Sequence, residues 1–593
     1  MSANQSNLGN PQYGYDLVVA TTQESINATM KEYLYNTVFP TVRMYWNQDE
    51  EGNPVPVSYD ELMKQTNGTD PLTVQSWTSG DPMTPEIEHI NNSDFYFAFE
   101  AAIGIPGGLD PSQIPDIVTL QVNSNSVIFN LLCASFTVVT CTFGRHGLIS
   151  VLNVSQPDDA PWMFTSTVAL KDIFDNENLP PDVQDQLNNL GPDAFSVQQL
   201  LFDLDNAALE SVPTISGIEP GTPAYNALSQ VFVGAYFEAM KEEAQPVLNY
   251  AILPNTTSNY DPSTFTLTDL GLEVSPYVNP TTQKQDVLNL NTLNYLGAIN
   301  NNPLPASVQF GWNWVEQSEE ADFNGVVSIR SDNFIECLRV QFSPSLNNIT
   351  YKPVCKCWDE KWVELYYSLQ FDRDTSPQSY AVTTPRITDA DGFTEVLNFN
   401  YSQYSGQDGG SPWYGVWGNL SCTYTAASTI AVKGNQMKVN TSVNAYLHVN
   451  VEGGVTEGNF ASYASEVIYT LSVDQYGSLL ANVSSPTVVD NSETPDISGW
   501  SKFVTLGEVI GMIDSMRSTL QGVLTTLMDG FDTSINNVIN SSQTFVFPGG
   551  NTFTFKDVVF SDYQDLVSHI TYVQPTGQYA QKLLESNQSV TAE

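Results

Sequence analysis

Sixteen consecutive residues, Met437 to Glu452, alternate between two chemistries without a slip, and that run constrains the fold more than any other part of the chain. Met437, Val439, Thr441, Val443, Ala445, Leu447, Val449 and Val451 fall on one side, and Lys438, Asn440, Ser442, Asn444, Tyr446, His448, Asn450 and Glu452 on the other. Strict period two means one half-buried strand, and at about 3.4 Å per residue it spans roughly 50 Å, far beyond the usual five or six residues. So long a strand needs a long partner. Alternation returns in Val467, Tyr469, Leu471 and Val473 and, past Tyr476-Gly477, in Leu479, Ala481 and Val483, which predicts an antiparallel meander.

A second element matches it in length. Leu506, Val509, Ile510, Ile513, Met516, Leu520, Val523, Leu524, Leu527, Phe531, Ile535 and Val538 keep a helical period for more than thirty residues, again about 50 Å at 1.5 Å per residue. The opposite face is mostly Ser, Thr, Gly and Asn. Gly507, Gly511, Gly522 and Gly530 lower its intrinsic helicity, so the helix must lean on something apolar along its length. The expected architecture is α+β, with a long amphipathic helix against a long, one-faced sheet.

Earlier in the chain, Leu17-Val18-Val19 reads as a strand, and Thr21 with Glu24 as a capping box opening a helix that Pro40 ends. Phe95 to Val154 is strand-rich. Helices are expected from about Val183 to Leu204, after Pro180-Pro181, and from Thr222-Pro223 through Met240. Asn300 to Pro303 and Ser484 to Gly499 read as linkers. The division expected from sequence is a loose tail at 1–13, a helix-plus-sheet module at 14–299, a β-meander with long helix and closing hairpin at 300–574, and a loose tail at 575–593.

Charge narrows the function classes. The 593 residues hold 66 acids, an ordinary share, but only 20 bases, for a net charge of −46. Phosphate binding needs clustered Lys and Arg, so nucleic acid is excluded as a partner. From Arg330 to Arg386 seven bases face seven acids, and all of the excess lies elsewhere. Local ion pairs explain such a window more simply than docking does, although it is the least repulsive place for an anionic membrane or partner. No basic, apolar leader opens the chain and no stretch suits a transmembrane helix, so a cytoplasmic location is expected, with release by a non-classical route left open. Six sparse cysteines read as reduced thiols, and the many Asn-x-Ser/Thr sequons follow from an Asn-, Ser- and Thr-rich composition.

Catalytic signatures are missing. With four histidines and no HExxH, GxSxG, P-loop or GxGxxG pattern, no enzyme activity, catalytic residue, cofactor or metal is expected. Cys337, Cys355, Cys357 and Cys422 lack zinc-site spacing, and Asp389-Ala-Asp-Gly392 begins like a calcium loop but reads better as a hairpin turn. Trp358-Asp-Glu-Lys-Trp-Val-Glu364 combines acids with two tryptophans, as sugar sites do; an amphipathic strand is the plainer account. Trp312, Trp314, Trp413 and Trp417 share that ambiguity.

Two segments carry a resemblance: Gly14-Tyr-Asp-Leu-Val-Val-Ala-Thr-Thr-Gln-Glu-Ser-Ile-Asn-Ala-Thr-Met-Lys-Glu-Tyr-Leu34, and Phe545-Val-Phe-Pro-Gly-Gly-Asn-Thr-Phe-Thr-Phe555 followed by Asp565-Leu-Val567. They resemble the opening and closing segments of the OrfX-like and forty-seven-kilodalton proteins encoded beside clostridial neurotoxins, a family of the tubular lipid-binding (TULIP) superfamily. The resemblance implies long helices cradled by strongly curved antiparallel sheets, two such modules per chain, and an apolar groove for a lipid-like ligand. The expected function is therefore non-enzymatic binding of a lipid or other hydrophobic molecule, with a toxin-associated role implied by the resemblance alone, at inner-face positions Val443, Ala445, Leu447, Leu520, Val523, Leu524 and Leu527. Two alternatives stand beside it: a closed-core structural component that binds protein partners, and a carbohydrate-active protein using the Trp and carboxylate clusters.

Overall fold

The computed structural model describes residues 2–36, 41–109, 113–122, 126–157, 161–174, 195–208, 220–221, 225, 228, 232, 247–254, 265, 267–360, 364–411, 415–451, 454–474, 479–496, 506–543 and 553–572. It is mostly antiparallel sheet with a few helices, and one sheet curls into a half-barrel.

The alternating run behaves as its period requires. Gln436–Val451 lies between Val416–Lys433 and Gly454–Val473 in a meander that also holds Ala381–Thr388, Thr394–Ser411 and Leu479–Val483. Its register with Val416–Lys433 is unbroken from Gly418 opposite Val451 to Lys433 opposite Gln436. Every odd-numbered residue from Met437 to Val449 is buried, and the even-numbered ones are partly or fully exposed apart from Lys438. That exception has a partner on each side: its ammonium bonds Asp389 at 2.6 Å and lies 4.3 Å from the centre of the Phe393 ring. Asp389 thereby belongs to the hairpin turn expected of Asp389–Gly392, where Gly392 takes a positive φ of 86°. A separate hairpin, Tyr351–Glu360 with Glu364–Arg373, crosses the far end of the meander. A Cβ on Gly409 would stand 2.4 Å from the Cys357 carbonyl oxygen, so only glycine permits that crossing.

A ten-stranded sheet occupies the first half of the chain. Its axis is Ser126–Gly144, which changes partners midway: Ser126 to Leu132 pairs with Met163–Phe174, and the stretch from Cys133 to Thr140 with Phe95–Ile103. Of the helix expected from about Val183 to Leu204, the part from Phe195 on is instead in the strand Phe195–Ala208, paired with both Met163–Phe174 and Val247–Pro254; cross-strand pairing overrides a short apolar run whose period was ambiguous. Of the helix expected from Thr222, only Tyr225, Leu228 and Phe232 are described; all three are helical and buried.

A third sheet gathers distant parts of the sequence in the order Leu267–Ser275, Thr292–Ile299, Leu17–Thr22, Gly325–Ile329, Leu566–Tyr572 and Phe553–Phe555. It runs through position 300, where two modules were expected to divide. Leu17–Thr22 is buried on both faces, with one face against Ile26, Met30 and Leu34 and the other under Phe310, Trp312 and Trp314. The helix after it, Gln23–Asn36, is capped one residue later than expected: Thr22 Oγ accepts from the Ser25 amide, while Thr21 Oγ bonds the Leu293 carbonyl. Residues 2–13, expected as a loose tail, are packed, with Ala3, Ser6 and Leu8 fully buried. The stretch Ser484 to Gly499 also departs from a pure linker, since Thr487–Asp490 pairs with Gly454–Val473. Phe545, Phe547 and the turn at Tyr476-Gly477 lie outside the described residues.

Candidate functional site

The long helix runs from Leu506 to Gln543, 38 residues. Val509, Ile513, Met516, Leu520, Val523, Leu524, Leu527, Phe531, Ile535, Val538 and Ile539 are all buried, so one face is covered from end to end. It packs on Gly454–Val473 and Leu479–Val483, on the hairpin strand Glu364–Arg373, and on the helix Ser331–Phe342 with the turn after it. Phe531 meets Phe342 with ring centres 5.2 Å apart. Polar fasteners fix its register: Arg517 donates to the Phe460 carbonyl at 2.7 Å, Tyr469 donates to Asp532 at 2.9 Å, and Ser534 donates to the Gln341 carbonyl at 2.8 Å.

All seven groove residues expected from sequence fall in the same apolar cluster. Val443, Ala445, Leu447, Leu520, Leu524 and Leu527 are at most 1% exposed, and Val523 is 6% exposed. A polar rung crosses this inner face. Ser428, Thr441 and Ser465 are in register on three adjacent strands, and Ser428 shares hydroxyl bonds with Tyr380 at 2.8 Å and Thr441 at 3.0 Å.

The helix glycines divide in a telling way. At Gly530 a Cβ would lie 2.7 Å from Ser345 Oγ, so close packing explains it, but at Gly507, Gly511 and Gly522 a Cβ would meet nothing within 4 Å. Three glycines thus weaken the helix by about 1 kcal/mol each without any packing need. Substituting Gly511 and Gly522 by alanine together should raise the unfolding free energy of this region by about 1–2 kcal/mol, read by urea denaturation followed at 222 nm.

The other chemistry-bearing groups lie elsewhere. All six cysteines are buried free thiols, and burial pushes Cys357 up to about 11. Among the described residues no group of three or more His, Cys, Asp or Glu side chains could hold a metal ion. His448 bonds Glu457 at 2.8 Å on the outer face, and His569 bonds Asp557 at 2.9 Å in the third sheet. Trp312 and Trp314 are core residues; Trp358 and Trp417 are exposed, at 40% and 74%. Bases of the neutral window are held in ion pairs: Arg330 with Asp16 and Asp332, Arg339 with Glu336, Lys352 with Asp374, and Arg386 with Asp332.

Two buried carboxyls in the third sheet were not visible in the sequence. Asp565 accepts from Ser6 Oγ at 2.9 Å and from the backbone amides of Leu8 and Ser331 at 2.7 and 2.9 Å, and burial still pushes its carboxyl up to about 6. Glu273, bonded by Asn294 and Ser275, is pushed by burial up to about 7. Their stabilisation is full below the ordinary carboxylate range and is lost as pH rises through about 6 and then about 7. The thermal midpoint should therefore rise between pH 8 and pH 5, with about 2 kcal/mol from each group, and Glu273→Gln should flatten the upper part of that rise.

No protein-family profile matches the chain, and no curated protein matches it. Among solved structures, a crystal structure of lipopolysaccharide binding protein aligns over 95% of this chain and 100% of its own, at 9% identity and a TM-score of 0.27. That likeness is too distant to argue from.

Proposed function

We propose that this chain is a non-enzymatic carrier of a lipid or other hydrophobic molecule, held between the long helix and the inner face of the meander. The observation that carries the reading is the pairing of a fully covered apolar helix face with three glycines that packing does not require. Such a helix owes its order to what it lies on, so an acyl chain that replaces those contacts can lift it at small cost. The resemblance of Gly14–Leu34 and Phe545–Phe555 to the OrfX-like proteins points the same way, and a toxin-associated role belongs to the proposal on that ground alone. Affinity would follow chain length, at about 0.8 kcal/mol per buried methylene.

Near-complete burial of the same seven residues favours a second reading, a closed-core component of a larger assembly. Native mass spectrometry before and after solvent extraction separates the two. A carrier shows extractable mass and takes up fluorescent fatty acid or phospholipid, with tighter uptake of longer chains. A clean apo mass with no uptake leaves the closed core.

A further inference from the structure

The long helix is fastened unevenly along its length. From Gly530 onward the Ser331–Phe342 helix, the turn after it and the meander hold it together: Gly530 lies against Ser345, the Phe531 and Phe342 ring centres are 5.2 Å apart, and Asp532 accepts from Tyr469 at 2.9 Å. Gln341 adds two more bonds, accepting from Ser534 at 2.8 Å through its carbonyl and from Asn537 at 3.3 Å through its side chain. Before Gly530 the fastening is sparse. Arg517 is there the one side chain, among the described residues, that hydrogen-bonds outside the helix, and Gly507, Gly511 and Gly522, with open space at each Cβ, all belong to this part. The arginine closes on one spot. Its Nε donates to the Phe460 carbonyl at 2.7 Å and its NH2 group to the Glu493 carbonyl at 2.6 Å, and Glu493 is itself tied to Asn459, its amide donating to the Asn459 carbonyl at 2.9 Å.

We infer that the amino-terminal half of the helix is a gate, which swings off the meander about Gly522 when Arg517 releases, while the half beyond Gly530 stays docked. The unequal fastening carries the hinge; its service as the entrance for a hydrophobic ligand rests on the carrier reading. Three glycines between Leu506 and Val523 leave this half unable to hold its helix by propensity alone, and segments of least local stability open first. Opening the other half would instead break a ring pair, three side-chain bonds and the close contact at Gly530. The lighter end moves. Val509, Ile513, Met516 and Leu520 lie on the buried face of the moving half, and the same apolar cluster runs on through Val523, Leu524 and Leu527. A molecule admitted at this end therefore meets apolar side chains from the gate to the proposed groove. Arg517 sets how often the gate opens, because both of its bonds are charge-assisted and both are lost together.

Hydrogen exchange followed by mass spectrometry on the full chain tests this. Amides of 510–521 should exchange about tenfold or more faster than those of 531–539, and Arg517→Ala should speed the first group about tenfold again while leaving the second unchanged. Gly511→Ala with Gly522→Ala should slow the first group about tenfold, and this stabilised pair decides the matter if the arginine variant misfolds. Uptake of a fluorescent fatty acid should change in step, faster in Arg517→Ala and slower in the alanine pair. Equal exchange along the helix, faster exchange beyond Gly530, or variant profiles like the wild type's would overturn the gate, as would uptake whose rate ignores both variants. Uneven exchange that responds to both variants, with no uptake by any of the three proteins, would sink the carrier and leave the hinge standing. Uptake with equal exchange would do the reverse.

Discussion

Replacing Asp565 with alanine should cost about 3–5 kcal/mol of folding stability, because two buried backbone amides and a buried hydroxyl lose their acceptor together. The carboxylate is fully buried and joins three parts of the chain: Ser6 and Leu8 near the start, Ser331 at the opening of the Ser331–Phe342 helix, and its own strand near the end. A carboxylate at that helix start also faces the positive end of the helix dipole. Asp565→Asn should recover about half of the loss, since one amide oxygen can still accept while the NH2 group faces a donor. Urea unfolding followed by tryptophan fluorescence measures both; a loss under about 1 kcal/mol for the alanine variant would show that water replaces the lost acceptor.

The second large effect is expected at Leu520, which is fully buried in the middle of the helix face. Leu520→Asp places a charge in an apolar seam, at a cost of about 4 kcal/mol or more. Gly507, Gly511 and Gly522 leave the helix little stability of its own, so it should separate from the sheet before the rest unfolds. The predicted signs are new protease cleavage between 506 and 543, dye binding to the bared inner face, and loss of fatty-acid uptake. Unchanged proteolysis of the variant would mean that the helix is not held by this face.

How far the fold could be read from sequence depended on the period of each element. Met437–Val451 and Leu506–Val538 were legible because one residue period persists long enough to leave a single solution for each. Phe195–Ala208 was not, since a short apolar run suits either helix or strand until its partners are known. The third sheet was hidden for a different reason. Its strands lie hundreds of residues apart, and nothing local in Leu17–Thr22 names Thr292–Ile299 or Gly325–Ile329 as neighbours. Periodicity puts the seven proposed groove positions on apolar faces, and all seven are buried, but periodicity is silent on whether a packed face also opens. Trp358 and Trp417 show the converse. Tryptophan is most often core, as Trp312 and Trp314 are, yet Trp358 and Trp417 lie on the outside.

The order of strands in the third sheet also sets a timetable for the ribosome. Leu17–Thr22 is made almost at once, yet the bonds from Ser6 and Leu8 to Asp565 span 559 and 557 positions. At roughly 5–20 residues per second, half a minute to two minutes of translation separate the two ends. Leu17–Thr22 waits for both of its neighbours until Gly325–Ile329 is made, and Gly325–Ile329 then keeps an unsealed edge, exposed to other nascent chains, until Leu566–Tyr572 emerges. Expression yield should accordingly depend on holdase chaperones that cover the emerging amino-terminal segment, and a chain stopped short of Asp565 should remain bound to them.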